Sequence, residues 1–237
     1  MRILYVFPHP DDESFGPVTA MHHQLQQGHE VHLLTLTKGG ATKIRFNLGL
    51  SVDEMGELRY KEMLDVQQTV GLTGMTVLDM PDSGLSEMDP REIETAIREE
   101  IVRLKPEIVV TYAVHGISGF HDHLVCHAVV KRLYLDMKDA GADYLKRLAF
   151  FTIPDRGGAT FSSAGIRLKH SSEENIDCMI TASDENRQMM NKALDCYVSY
   201  KETIAASGVK QSVGNHIYFE IFGENHKPPL SDITQKL

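Results

Sequence analysis

His9, Asp11, Asp12 and Glu13 place one imidazole and three carboxylates on a short stretch broken by Pro8 and Pro10. Imidazole nitrogen and carboxylate oxygen both bind divalent cations, and an unligated carboxylate beside such an ion can take a proton from water. His9 and Asp12 are three residues apart, close enough on a turn to reach one ion. A catalytic zinc takes three protein ligands and keeps a position for water. The third ligand must therefore come from elsewhere in the chain. His115, His121 and His123 crowd one later segment, with His127 one helical turn after His123. Two imidazoles and a carboxylate suit zinc better than magnesium, and Asp11 is the carboxylate left to act as base. Plainer roles stand beside these. Glu13 complements the positive end of a following helix, His127 is read as a helix-surface residue, and Cys126 as a small core residue.

These side chains need a scaffold that brings distant segments together. The apolar run Ile3 to Phe7 reads as a buried strand of parallel type, and Pro8 ends it. A helical pattern opened by Ser14 or Thr19 runs to Gln27, with Gly28 as its stop. Val31 to Thr37 is a second strand, so the first forty residues form a strand–helix–strand unit with a right-handed crossover. The loop from Lys38 to Gly49 precedes a helix over Asp53 to Val70. Met75 to Met80 is a short strand ending in the turn Pro81-Asp82-Ser83-Gly84. Asp89-Pro90 begins a helix stopped by Pro106. Ile108 to Tyr112 is a fourth strand and delivers the His115–His123 loop, with a helix from about Asp122 to Met137. Three strand exits thus carry polar clusters, and parallel strands put those exits on one edge, where open α/β sheets bind ligands. Further on, Leu148 to Ile153 reads as a strand, Ser183 to Thr203 as one helix, and Ile217 to Phe222 as a last strand.

Composition narrows the function classes. The 237 residues suffice for one large α/β domain, 1–237, with a core over 1–138 and a part over 139–237 that completes the sheet and pocket. A net charge of −9 argues against a nucleic-acid partner. Three widely spaced cysteines do not make a disulfide framework. No stretch reaches the ~20 apolar residues that span a bilayer, and no leader pattern opens the chain, so a cytoplasmic protein is expected. No glycine-rich fingerprint follows the first strand, which disfavours a dinucleotide site. A metal-dependent phosphoesterase lacks a phosphate loop and a basic pocket. A sugar- or nucleotide-binding module without catalysis is the remaining alternative.

A strand followed by His9-Pro10-Asp11-Asp12-Glu13, and later by Asp122-His123 before a helix, resembles the PIG-L/LmbE-like zinc-dependent deacetylases of N-acetylglucosaminyl compounds. The likeness covers most of the first 130 residues and is patchy afterwards. It implies a Rossmann-like three-layer αβα sandwich with a mostly parallel sheet. It also implies one Zn2+ on His9, Asp12 and His123, with Asp11 as general base and a small N-acetylated amino-sugar as substrate. Members often assemble as homo-oligomers. Arg59 and Asp82 resemble sugar-contacting positions of the family, with a salt bridge and a turn cap as their plainer readings. This chain departs from the pattern where relatives commonly read Gly-His-Pro-Asp-His: here stands Gly119-Phe120-His121-Asp122-His123. The carbonyl-polarising His of relatives is Phe120, and His121 or the upstream His115 is the candidate to replace it. Gly39-Gly40 stands where many relatives carry Gly-Glu. The carboxyl-terminal third, with Arg156-Gly157-Gly158, is expected to shape substrate choice.

Overall fold

Alternation along the first strand sets the layers. In β1 (Arg2–Phe7) the side chains of Ile3, Tyr5 and Phe7 enter one apolar cluster and those of Leu4 and Val6 another. Successive side chains of a strand point to opposite faces, so a strand apolar at every position must be covered on both. The computed structural model, which describes residues 1–157, 165 and 167–237, shows how this is done; Gly158 lies outside the described residues.

The strands β1, β2 (Glu30–Thr37), β3 (Gly74–Met80), β4 (Ile108–Tyr112) and β5 (Arg147–Thr152) run parallel. Two more, β6 (Cys178–Thr181) and β7 (His216–Ile221), join antiparallel beyond β5. The order in the seven-stranded sheet is β3-β2-β1-β4-β5-β7-β6. The helices α1 (Pro17–Gln26), α2 (Ile44–Leu48), α3 (Val52–Val70), α4 (Pro90–Leu104) and α5 (His121–Asp139) follow the first four strands. The carboxyl-terminal third adds α6 (Asp184–Cys196), α7 (Lys201–Ser207) and α8 (Val209–Ser212). Residues of α1, α3 and α6 pack on the Ile3–Tyr5–Phe7 face, those of α4 and α5 on the Leu4–Val6 face. Each fully buried Leu or Phe in these layers contributes about 1.5–3 kcal/mol. This is the expected α/β sandwich with a mostly parallel sheet.

Local sequence explains the helix starts. Ser51 and Glu54 form a reciprocal capping box before α3, and the Asp89 side chain accepts the Arg91 N–H before α4. The first helix differs from expectation: it begins at Pro17, after Gly16, with neither Ser14 nor Thr19 as cap. The long loop after β2 holds the short helix α2. The single helix expected over Ser183 to Thr203 is broken. α6 ends at Cys196, Tyr197 leaves helical geometry at φ −82° and ψ 69°, and a 3-10 turn over Val198–Tyr200 leads into α7. The strand β6 was not expected; it is only four residues long. Among the described residues no helix is long and apolar enough to cross a membrane.

The order matters for function. β1 lies between β2 and β4; the connection leaving β1 enters α1 on one face of the sheet, and that leaving β4 enters α5 on the other. That is a topological switch point, where the diverging loops leave a crevice. The loops that follow β1 and β4 border it.

Candidate metal centre

The crevice holds His9, Asp12 and His123, whose ligand atoms all lie within 4.8 Å of one another. The loop after β1 supplies the first two, and the first turn of α5 the third. Gly116 (φ +62°) lets the preceding loop fold tightly here, for a Cβ on it would meet the His123 Cβ at 2.7 Å. His123 Nδ1 lies 2.9 Å from the Gly116 carbonyl, so it carries the proton and donates it there. The Nε2 lone pair is thereby left towards Asp12 Oδ1, 3.3 Å away.

Asp12 is fixed by two donors. Its Oδ2 accepts the His9 N–H at 2.9 Å and its Oδ1 the Tyr112 hydroxyl at 2.8 Å. Burial opposes its charge, yet His123, His9 and the Tyr112 hydroxyl hold its carboxyl below the usual range. His9 lies with Nδ1 3.5 Å from Asp12 Oδ2 and Nε2 3.0 Å from Asp122 Oδ2. A carboxylate behind a ligating imidazole fixes its ring and tautomer. Burial disfavours a charged His9, but Asp12, Asp122 and Asp82 outweigh it and raise it to about 10.

This donor set fits a tetrahedral divalent ion. Bonds of about 2.0–2.1 Å imply ligand atoms roughly 3.3 Å apart; His123 Nε2 lies 3.3 Å from Asp12 Oδ1 and His9 Nδ1 3.5 Å from Asp12 Oδ2, so the carboxylate faces one imidazole with each oxygen. Two imidazoles and one carboxylate are also the donors such an ion selects, and binding it would require His9 to release the proton that the surrounding acids hold on it. A second group, His9 with Asp82 and Asp122, shares the same imidazole. The two carboxylates form its outer shell: Asp122 accepts the N–H groups of Ser83 and Leu85, and Asp82 that of Ala41.

Asp11 stands beside the ligands under different forces. Its backbone has φ +81°, and its Oδ2 accepts from Arg59 Nη2 at 2.6 Å. Burial pushes its carboxyl above the usual range in spite of that guanidinium. Neighbouring carboxylates with affinities pushed apart mark different chemical assignments. Arg59 is 3% exposed and also donates to the Pro10 carbonyl at 2.8 Å and the Gly39 carbonyl at 3.2 Å. Gly39 has no room for a side chain, because a Cβ there would meet Arg59 Nη1 at 2.4 Å.

The remaining expected residues are placed as follows. Asp82 points Oδ1 at His9 Nε2, 3.3 Å away. His121 is exposed at the start of α5, in a shallow hollow with Ser86, Glu87, Leu124 and Val125, and belongs to neither group. Phe120 is half exposed, edge-on to the His123 ring. His115 contacts the Ser171 hydroxyl through Nε2, and Nδ1 accepts the Ile117 N–H. Burial takes it down to about 4, leaving it neutral. His127 is buried with Nδ1 on the Tyr112 carbonyl, not on the helix surface, and burial pushes the Cys126 thiol up to about 12. Two residues passed over in the sequence also stand here. Tyr112 stacks on His123 at 4.5 Å, and Tyr197 accepts the Asp11 N–H. Nothing in their local pattern separates them from core tyrosines.

The chain has relatives among known proteins. Over 152 residues the chain is 34% identical to a 1D-myo-inositol 2-acetamido-2-deoxy-alpha-D-glucopyranoside deacetylase of Thermomonospora curvata, covering 55% of this chain and 51% of that one. The chain spans about half the length of the first curated relatives it matches. A solved deacetylase of the teicoplanin biosynthesis pathway superposes with a TM-score of 0.70 at 16% identity, over 93% of this chain and 97% of its own. A 4-carboxy-2-hydroxymuconate hydratase from Pseudomonas putida superposes almost as well, with a TM-score of 0.68 at 12% identity over 94% of this chain and 97% of its own. Such likenesses are of fold, which hosts more than one chemistry. Residues 4–134, from β1 to α5 and including all three clustered ligands, match the family described as PIG-L, GlcNAc-PI de-N-acetylase. The chain belongs to the PIG-L family.

Proposed function

We propose that this chain is a zinc-dependent amide hydrolase that removes the acetyl group from an N-acetylglucosamine-type sugar or conjugate. One observation carries it: three convergent ligands, His9, Asp12 and His123, lie beside an unligated carboxyl, Asp11, that burial makes basic. Family membership and the deacetylase named among the relatives support the substrate class. Zinc held there would lower the pKa of water to ~7 and polarise the amide carbonyl.

The chain's own groups do the rest. Asp11 takes the proton of the attacking water and returns it to the nitrogen as the C–N bond breaks, so acetate and a free amine leave. Phe120 offers no proton, and the exposed His121 belongs to neither group, so Asp11 serves both transfers. Arg59 has its guanidinium committed to Asp11 and two carbonyls; we place it behind the base instead of against a sugar hydroxyl. Asp82 has Oδ1 against His9 Nε2 and Oδ2 on the Ala41 N–H; we place it behind the ligating imidazole instead of against a sugar hydroxyl. Cys126, Cys178 and Cys196 are free thiols, which supports a reducing compartment such as the cytoplasm.

The test is amine release from N-acetylglucosamine conjugates before and after chelation, with zinc added back. Turnover that is lost on chelation and restored by zinc is expected. Turnover indifferent to chelation would overturn the proposal.

A further inference from the structure

Asp11 carries a side chain at φ +81°. Such a backbone costs on the order of 1–3 kcal/mol and persists only where its surroundings over-determine it. Three elements hold it. Within its own turn, the Asp11 carbonyl accepts the N–H groups of Ser14 at 2.8 Å and Phe15 at 3.1 Å. From α3, Arg59 grips the carboxylate. The third comes from the far end of the chain: the Tyr197 hydroxyl oxygen accepts the Asp11 N–H at 2.9 Å and donates its own proton to Glu13 Oε1 at 2.7 Å. Glu13 thus fixes the direction of the hydroxyl, leaving a lone pair for Asp11.

Tyr197 is 0% exposed, so it meets no substrate. It stands where α6 stops without Gly or Pro, and the turn after it is tied down. Ser199 donates its N–H at 2.6 Å and its hydroxyl at 2.7 Å to Glu62. The Tyr200 ring lies 4.1 Å from the Arg59 guanidinium, and its hydroxyl donates to Thr42. The segment from Tyr197 to Tyr200 therefore grips the base and the arginine behind it together.

We propose that Tyr197 is a positioning residue of the reaction, acting through Asp11: its hydroxyl holds the strained backbone so that the carboxylate faces the metal ligands. This rests on Asp11 being the general base.

Tyr197→Phe removes only the hydroxyl. We expect kcat to fall about tenfold to a hundredfold, the scale of a misplaced catalytic group, with KM and zinc content unchanged. Tyr5→Phe is the control, for it deletes an equally buried hydroxyl that bonds Gln24 Oε1 at 2.9 Å; it should lower thermal stability and leave kcat alone. In an Asp11→Asn background Tyr197→Phe should cost nothing further. Where Tyr197→Phe does not accumulate as folded protein, Glu62→Gln loosens the same turn and should give a smaller loss of kcat, again absent without Asp11. A wild-type kcat in Tyr197→Phe overturns the inference, as does an equal fold-loss in the Asp11→Asn background. Full turnover by Asp11→Asn itself is a separate result, and removes the base on which the inference rests.

Discussion

Two arginines of this protein are buried against a carboxylate and backbone carbonyls, yet their partners end in opposite states. Arg147, at the start of β5, holds Glu224 with Nε and Nη2, each at 2.7 Å, and also donates to the carbonyls of Ile233 and Gln235. Arg59 touches Asp11 with Nη2 alone and spends its other contacts on Pro10 and Gly39. Burial opposes charge at both carboxylates. The two-point fork, helped by His226, keeps Glu224 below the usual range, while Asp11 stays above it. A matched fork makes an ionised carboxylate inert; a single contact beside Asp12 leaves one poised to take a proton. Arg147 staples the carboxyl-terminal tail to the sheet, and Arg59 holds a reactive group.

Replacing each carboxylate by its amide tests that contrast most severely. Asp11→Asn should cost about 10²–10⁴ in kcat, the worth of a general base, and keep its zinc. Glu224→Gln should keep full turnover per folded molecule. Similar turnover in the two variants would erase the distinction.

Arg147→Met should destabilise by about 1–3 kcal/mol, because the partly exposed Glu224 and the buried carbonyl of Ile233 lose their donor. For a chain of this size that is a Tm lower by roughly 2–4 °C per kcal/mol, read by calorimetry, with kcat intact in the folded fraction. Asp122→Asn probes the site from the other side. It weakens the group that orients His9, and should reduce zinc affinity about 10–100-fold in a competitive chelator titration, with kcat at saturating zinc far less affected.

The smallest effect concerns pH. Glu224 has a folded-state affinity for protons below its unfolded one. Its contribution to stability is thus full above the unfolded carboxylate pKa of ~4.3 and is lost as pH falls through the lower folded value. The acid limb of a Tm–pH curve should be flatter in Glu224→Gln than in wild type. Equal slopes would show that the fork does not hold the charge.

The sheet's parallel half was legible because β1 and β4 are nearly unbroken apolar runs, closed by Pro8 and by the loop after Tyr112, and Pro81 marks the end of β3. Three segments of known polarity at strand exits then converge by topology alone. The carboxyl-terminal third was less legible for physical reasons. β6 is four residues with alternate positions exposed, and nothing between Cys196 and Val198 breaks a helix by itself. Tyr197 leaves the helix in a structure where its hydroxyl is bonded at Asp11 and Glu13. In the metal group, His9 and Asp12 follow from spacing, but the sequence offered several imidazoles for one place. What separates His123 from His121 is the helix turn that sends one inward and the other to solvent.

The bond between Asp11 and Tyr197 joins positions 186 residues apart, whereas the ligands and Arg59 all precede residue 124. Contacts so distant in sequence close late, after the local ones. During synthesis or refolding, the ion's binding groups can assemble while the carboxyl-terminal third is still undocked. Metal uptake and turnover should therefore arrive at different times: the first reports a half-built sheet, the second a finished molecule.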